Sequence, residues 1–145
     1  SLYEASRERW KDRGLARSRR YTLEFFRTLF ECPAGCRRLW LARLDGKPIA
    51  GTVCFYWNAH VVSWSSAGLG ELFHAYRPND LLYDRMVRHA AENKYQWFDC
   101  NPSAGLAGVV DFKQHIGAQR MKSRVVQNRS PMFRCADALR KAISR

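Results

Sequence analysis

The sequence lacks the cysteine patterns of disulfide-rich and zinc-binding proteins and the long apolar run of a transmembrane helix. Its five cysteines are an odd number without regular spacing, which does not suggest a disulfide framework. Cys32 and Cys36 have no second pair of ligands at a spacing that suits zinc, so no metal site is expected. The longest uncharged stretch, residues 48–70, is interrupted by Asn58, His60 and several small polar residues, which argues against a transmembrane helix.

The amino terminus also lacks the apolar segment that a secretory signal peptide requires. Cys54 and Cys100 lie inside apolar runs, where a buried free thiol is the usual role of a cysteine. Reduced cysteines favour a cytoplasmic protein.

The length and the composition of the chain predict one folded domain. The chain has 145 residues, of which 46% are hydrophobic and 13% aromatic, enough to build a core. The net charge of +12 divides into +5 for residues 1–38, zero for residues 39–110 and +7 for residues 111–145. Basic ends favour a polyanionic partner, such as a phosphate-bearing cofactor, tRNA or a membrane surface. The alternatives are a solvated surface or an interface to an acidic domain.

The hydrophobic periodicity predicts the element order α-α-β-β-β-α-β-α-β-α. Helices are expected over residues 2–12, 21–31, 80–93, 106–116 and 132–143, and strands over residues 38–44, 49–57, 60–67, 95–100 and 122–127. Residues 68–78 are expected to be a loop with a short helical or extended piece. Residues 1–37 thus form a helical N-terminal part and residues 38–145 the core of a single domain.

Turn and cap residues refine this pattern. Asp45-Gly46 between two apolar runs is a strong hairpin signal, and Asn58-Ala59 predicts a second tight turn. Three consecutive strands therefore form an antiparallel meander. Asn79 is the expected N-cap of the long helix. A meander followed by β-α-β crossovers predicts a mixed α+β fold with a mostly antiparallel sheet.

Four segments in this order carry a family resemblance. They are residues 41–50, 76–82, 97–99 and 111–118, which read LARLDGKPIA, YRPNDLL, WFD and DFKQHIGA. Over residues 38–128 the chain resembles the GNAT superfamily of N-acyltransferases, and more closely its Fem-type and CelD/BioF-like branch. The resemblance implies a GNAT-like fold with helices on both faces of the sheet. It also implies the C-terminal half of a tandem-domain protein, completed by a missing N-terminal GNAT-like domain or by a homodimer.

The resemblance implies an N-acyltransferase. The donor would be acyl-CoA or, as the Fem-type branch suggests, aminoacyl-tRNA, so that tRNA is a further expected partner. The acceptor would be a small amine or a cell-envelope precursor, and no metal is implied. Two alternatives stay open, a basic nucleic-acid-binding module and a non-catalytic module that binds a partner protein.

The expected donor-binding residues are Arg77, Asn79, Asp80, Leu81 and Asn101, as the resemblance implies. The first four surround the start of the long helix, where free N–H groups and the helix dipole attract anions. Arg77 adds a cation suited to phosphate. Asp80 stands where the family has glycine and would repel phosphate. The alternative role of this junction is plain helix capping.

The expected catalytic residues are Lys113, Asp99 and His115. Lys113 can stabilise the oxyanion of a tetrahedral intermediate, or bind a donor phosphate or substrate carboxylate. Asp99 ends a strand and can accept a proton from the attacking amine or orient it. His115, two residues from Lys113, is a possible base. Each also has a purely structural alternative. Lys113 and His115 would be solvated side chains, and Asp99 would cap the following turn. Cys100 is a less favoured nucleophile, since direct transfer needs none.

Overall fold

The computed structural model describes residues 1–12, 21–31, 35–103 and 105–122. Within these ranges the elements are α1 Leu2–Asp12, α2 Leu23–Glu31, β1 Arg37–Leu44, β2 Lys47–Trp57, β3 His60–Gly68, α3 Gly70–Tyr76, α4 Pro78–Glu92, β4 Trp97–Asp99 and α5 Ala107–His115. Their order is the predicted one, with α3 as the short helical piece. The strand predicted over residues 122–127 and the helix predicted over residues 132–143 fall on the part of the chain outside the description.

The sheet has the strand order β1-β2-β3-β4. The pairs β1–β2 and β2–β3 are antiparallel, which confirms the predicted meander. Asp45 and Gly46 both have positive φ angles, 48° and 76°, as the predicted hairpin turn requires. Asn58, at 50°, begins the second turn.

β4 is shorter and more exposed than the buried strand predicted over residues 95–100. It pairs in parallel with β3 for three residues only, and the Trp97 side chain is 50% exposed. The strand starts late because the backbone N–H groups of Gln96 and Trp97 both donate to Ala59 in the β2–β3 turn. It ends early because Asn101 has a φ angle of 60°, which turns the chain away from β3.

α4 packs on one face of the sheet. Met86 is fully buried and its sulfur lies 3.2 Å from the Sγ of Cys54 on β2. Leu82, Tyr83 and Ala90 are also buried, so the predicted apolar stripe is largely confirmed.

The start of α4 differs from the prediction. The helix begins at Pro78 and the N-cap position is Arg77, with a φ angle of 46°, so Asn79 lies inside the first turn. Proline favours the first helical position because its fixed φ suits the helix and its missing N–H needs no partner there. The N-cap predicted at Asn79 is therefore wrong by two residues.

α1 and α2 cover the opposite face. A Cβ on Gly51 would come within 2.8 Å of Leu41, so glycine permits the Leu41 side chain to lie over β2, and Leu2 of α1 lies 3.6 Å away on the same face. α2 contacts the sheet through aromatic rings, with Phe26 lying 6.3 Å from Trp64 between ring centroids. The molecule is a mixed α+β fold, mostly antiparallel, with helices on both faces of the sheet, as predicted.

Candidate functional site

β3 and β4 separate soon after they meet. Their pairing ends at Val62 opposite Asp99, whereas β3 continues to Gly68 with β2 on its other side. No described residue forms a strand next to β3 beyond Val62. We call the space beside this edge, between Trp64 and Gly68, the cleft. An edge of this kind presents unpaired backbone N–H and C=O groups.

Asn101 forms the inner end of the cleft. Its side-chain amide donates to the backbone carbonyls of Ser63, at 2.7 Å, and Trp64, at 3.3 Å. Its own N–H donates to the Asp99 carboxylate at 2.7 Å. Asn101 therefore links β4 to β3 at the point where the two strands part.

Ser6 of α1 forms the outer end. Its fully buried hydroxyl accepts the N–H of Gly68 at 2.8 Å and lies 3.1 Å from the carbonyl of the same residue, to which it donates. The N–H of Leu69 donates to Ile49 of β2. Antiparallel pairing alternates along a strand, so the N–H and C=O of Ser66, like those of Gly68, point away from β2. Ser66 thus offers its backbone groups to the cleft between Ser6 and Asn101.

Lys113 lies beside Asn101. Its ammonium donates to the Asn101 backbone carbonyl, and the side chain is half-buried. Burial lowers the pKa of Lys113, opposed by the attraction of Cys100 and Asp99. The structure therefore brings together three predicted site residues, Lys113, Asp99 and Asn101.

The two cysteines near this group are poor nucleophiles. Burial raises the pKa of Cys100, and Lys113 only partly offsets this effect. Burial also raises the pKa of Cys54, to about 12. Both thiols are protonated at neutral pH, and thiolate is the reactive form.

An open pocket of about 260 Å³ adjoins the same group. It is lined by Ser103, Val110, Lys113, Gln114, Ala118, Gln119 and Arg120. Lys113 thus both lines this pocket and contacts Asn101.

The remaining predicted donor residues lie at the start of α4. The Arg77 side chain, 65% exposed, forms an ion pair of 2.6 Å with Asp80. Leu81 is 53% exposed, and the buried Oδ1 of Asn79 has no hydrogen-bond partner among the described residues. A cation and the first turn of a helix therefore face solvent together, a combination suited to an anion.

α4 connects this start to the cleft. Tyr83, in the second turn, is buried and its hydroxyl lies 3.0 Å from the Ser63 hydroxyl. Its ring also packs 5.2 Å from that of Phe112, the neighbour of Lys113. The helix start, the parting strands and α5 are thus held in one arrangement.

No described contact links His115 to Lys113, Asp99 or Asn101. It is exposed at the end of α5, and no described residue forms a hydrogen bond or ion pair with its imidazole.

Three serines at the cleft, Ser6, Ser63 and Ser66, were not predicted as site residues. Ser63 and Ser66 belong to a run of small polar residues within an otherwise apolar strand, and this run is the only signal that marks them. Ser6 gives no such signal, because its partner Gly68 is 62 residues away in sequence.

The described ranges contain neither a metal-binding cluster nor a membrane-spanning helix. No group of three or more His, Cys, Asp or Glu side chains there is arranged to hold a metal ion. No helix there has the length and hydropathy needed to span a membrane.

Solved structures of acetyltransferases share this fold. The aminoglycoside N-acetyltransferase AAC(6')-Iy, in complex with the bisubstrate analogue CoA-S-monomethyl-acetylneamine, is 16% identical, with a TM-score of 0.63 over 86% of this chain and 90% of that one. The aminoglycoside acetyltransferase meta-AAC0020 from an uncultured soil metagenomic sample, in complex with sisomicin, is 10% identical, with a TM-score of 0.64 over 89% and 86%.

A third similar structure is a ribosomal-protein-alanine N-acetyltransferase from Brucella melitensis biovar Abortus 2308. It is 13% identical, with a TM-score of 0.58 over 88% of this chain and 93% of that one. At these identities the likeness establishes the fold. No curated protein sequence gives a significant match.

The family is established by the sequence itself. The family model described as "Acetyltransferase (GNAT) domain" matches residues 1–114, which include the meander, the cleft, α4 and Lys113. The chain therefore belongs to the GNAT acetyltransferase domain family.

Proposed function

We propose that this domain transfers an acyl group from a coenzyme A thioester to the nitrogen of an amine. The observation that carries the proposal is the early parting of β3 and β4 beside the start of α4. The pantetheine arm of coenzyme A carries amide groups, which can pair with the Ser66 backbone as an added strand would. The pyrophosphate would then lie toward Arg77, Asn79 and Leu81.

The chemistry follows from the residues at the inner end of the cleft. The acceptor amine attacks the thioester carbonyl, and the Lys113 ammonium stabilises the oxyanion that forms. Asp99 orients the amine or takes its proton. Its second carboxylate oxygen, Oδ2, has no hydrogen bond from a described residue. Collapse of the intermediate breaks the carbon–sulfur bond, the leaving thiolate takes up the proton lost by the amine, and the product is an amide.

The acceptor and the branch of the family belong to the proposal as well. Similar structures contain coenzyme A derivatives and aminoglycosides, which supports a coenzyme A donor and a small amine acceptor. The Fem-type and CelD/BioF-like resemblance over residues 38–128 supports a cell-envelope precursor as acceptor, with aminoacyl-tRNA as the alternative donor and a second GNAT-like domain as partner. His115 is a candidate base for either acceptor.

Isothermal titration calorimetry with acetyl-CoA, followed by an amine acetylation assay, tests the proposal. Arg77→Gly removes the guanidinium and permits the positive φ of this position. It should weaken acetyl-CoA binding about tenfold, which corresponds to about 1.4 kcal/mol. Arg85→Ala, which removes an exposed charge elsewhere on α4, is the control and should bind like the wild type.

Absence of acetyl-CoA binding by the wild-type protein would contradict the proposal of a coenzyme A donor. Binding of aminoacyl-tRNA with transfer of its aminoacyl group would instead support the alternative donor.

A further inference from the structure

We infer that Asn101 is a positioning residue for acyl transfer, whose side-chain amide fixes the separation of β3 and β4 while its backbone carbonyl fixes the Lys113 amine. The inference rests on the proposed function for its catalytic consequence. It assigns Asn101 a role through β3 and Lys113 in place of the donor contact expected from the resemblance.

The bulge in β3 makes the Asn101 contact possible. In a regular strand successive carbonyls point to opposite sides, so one side chain cannot reach two of them. The register of β2 and β3 shifts between Val53 and Cys54, which leaves Trp64 as the extra residue of β3. A bulge of this kind redirects the backbone locally. The carbonyls of Ser63 and Trp64 therefore both accept from the Asn101 amide, which has one N–H for each.

The backbone of Asn101 is equally engaged. Its N–H donates to Asp99 on β4, and its carbonyl accepts from Lys113 on α5. Its φ angle of 60° is one that asparagine tolerates better than most residues. One residue thus joins β3, β4 and α5 through separate polar groups.

This arrangement has a direct consequence for catalysis. The acyl carbonyl must lie beside Lys113, and the width of the cleft is set where β3 and β4 part. A misplacement of about 1 Å can reduce the rate of an enzyme about 100-fold. Loss of the Asn101 amide should therefore lower the turnover number much more than it weakens donor binding.

Asn101→Gly is the variant of choice, because glycine keeps the positive φ and removes only the amide. Asn58→Gly is the matched control, since Asn58 also has a positive φ, of 50°, and lies in the β2–β3 turn. Asn101→Asp is a second variant that keeps the shape of the side chain but replaces its donors with a carboxylate oxygen facing two carbonyls.

Acetyl transfer from acetyl-CoA is measured for all four proteins. We expect kcat to fall about 10- to 100-fold in Asn101→Gly and Asn101→Asp. The KM for acetyl-CoA should change less than about threefold in both, and Asn58→Gly should match the wild type. A kcat in either Asn101 variant within about twofold of that of Asn58→Gly would overturn the inference, as would a loss confined to KM.

Amide hydrogen exchange of Ser65, whose N–H points toward its partner strand β2, provides a readout that does not depend on activity. It should be at least about fivefold faster in Asn101→Gly than in Asn58→Gly, because the neighbouring edge of β3 is no longer held. Equal exchange in the two variants would overturn the role of Asn101, whether or not transfer occurs. An inactive wild type with the expected exchange would instead count against the proposed function alone.

Discussion

The guanidinium of Arg77 lies 2.6 Å from the carboxylate of Asp80, in the first turn of α4. The negative charge of Asp80 suits the helix dipole but opposes an anionic ligand at the same place. A phosphate at this helix start must therefore compete with the Asp80 carboxylate for the Arg77 guanidinium.

Replacement of Asp80 should therefore strengthen donor binding. We expect Asp80→Asn to lower the Kd for acetyl-CoA about two- to fivefold, since an exposed charge near a helix end is worth about 0.3–1 kcal/mol. Calorimetry at low ionic strength measures this. Asp84→Asn is the control, because Asp84 forms a similar exposed ion pair with Arg88, at 2.8 Å, farther along the helix. Equal affinities for the two variants would remove Asp80 from the donor site.

Lys113 should determine the alkaline limb of the pH profile. If its ammonium stabilises the oxyanion, kcat/KM falls as the pH rises through the pKa of Lys113, which burial holds below the ordinary lysine value. Lys113→Arg keeps its charge at all these pH values, so it should retain partial activity and move this limb to higher pH.

Lys113→Ala should lower kcat/KM at least about 100-fold with little change in melting temperature. Lys47→Ala, at an exposed position in the β1–β2 hairpin, is the control for loss of one positive charge. Wild-type turnover in Lys113→Ala would exclude Lys113 from the mechanism.

Ser6 should contribute to stability through the outer end of the cleft. Ser6→Ala leaves the N–H and C=O of Gly68 without the hydroxyl that they share. An unsatisfied buried polar group costs about 1–3 kcal/mol, so the free energy of unfolding should fall by about that amount. Urea unfolding followed by tryptophan fluorescence measures it. A change below about 0.3 kcal/mol would mean that α1 does not hold the end of β3 through this contact.

The stripe of α4 that faces the sheet offers a second test of stability. Met86→Ala should reduce the free energy of unfolding by about 2–5 kcal/mol, because Met86 is fully buried against Cys54. Val87→Ala, one position away and 43% exposed, should change it by less than about 1 kcal/mol. Denaturant unfolding measures both variants. Similar losses in the free energy of unfolding would contradict the observed orientation of α4.

The meander and α4 could be predicted because their signals are local. The turn residues Asp45, Gly46 and Asn58 and the apolar spacing of Leu82, Met86 and Ala90 each act within a few residues. The N-cap was misplaced because Pro78 moves the start of the helix to a position that asparagine alone does not indicate.

The cleft was only partly predictable. Lys113, Asp99 and Asn101 were expected at the site from the family resemblance, and the structure places them together. The polar contacts that shape the cleft depend on strand register and on pairs distant in sequence, such as Ser6 with Gly68. Alternation patterns assume a regular strand, so they do not predict the bulge at Trp64. The extra residue shifts the phase of the strand beyond it.

Titration of the ¹⁵N-labelled protein with acetyl-CoA, followed by amide chemical shifts, tests the location of the donor most directly. The account predicts saturable shifts at Ser66 and at Leu81, with none at Gly46 in the distant hairpin turn. Saturable binding that shifts neither Ser66 nor Leu81 would contradict a donor held between the parted strands and the start of α4.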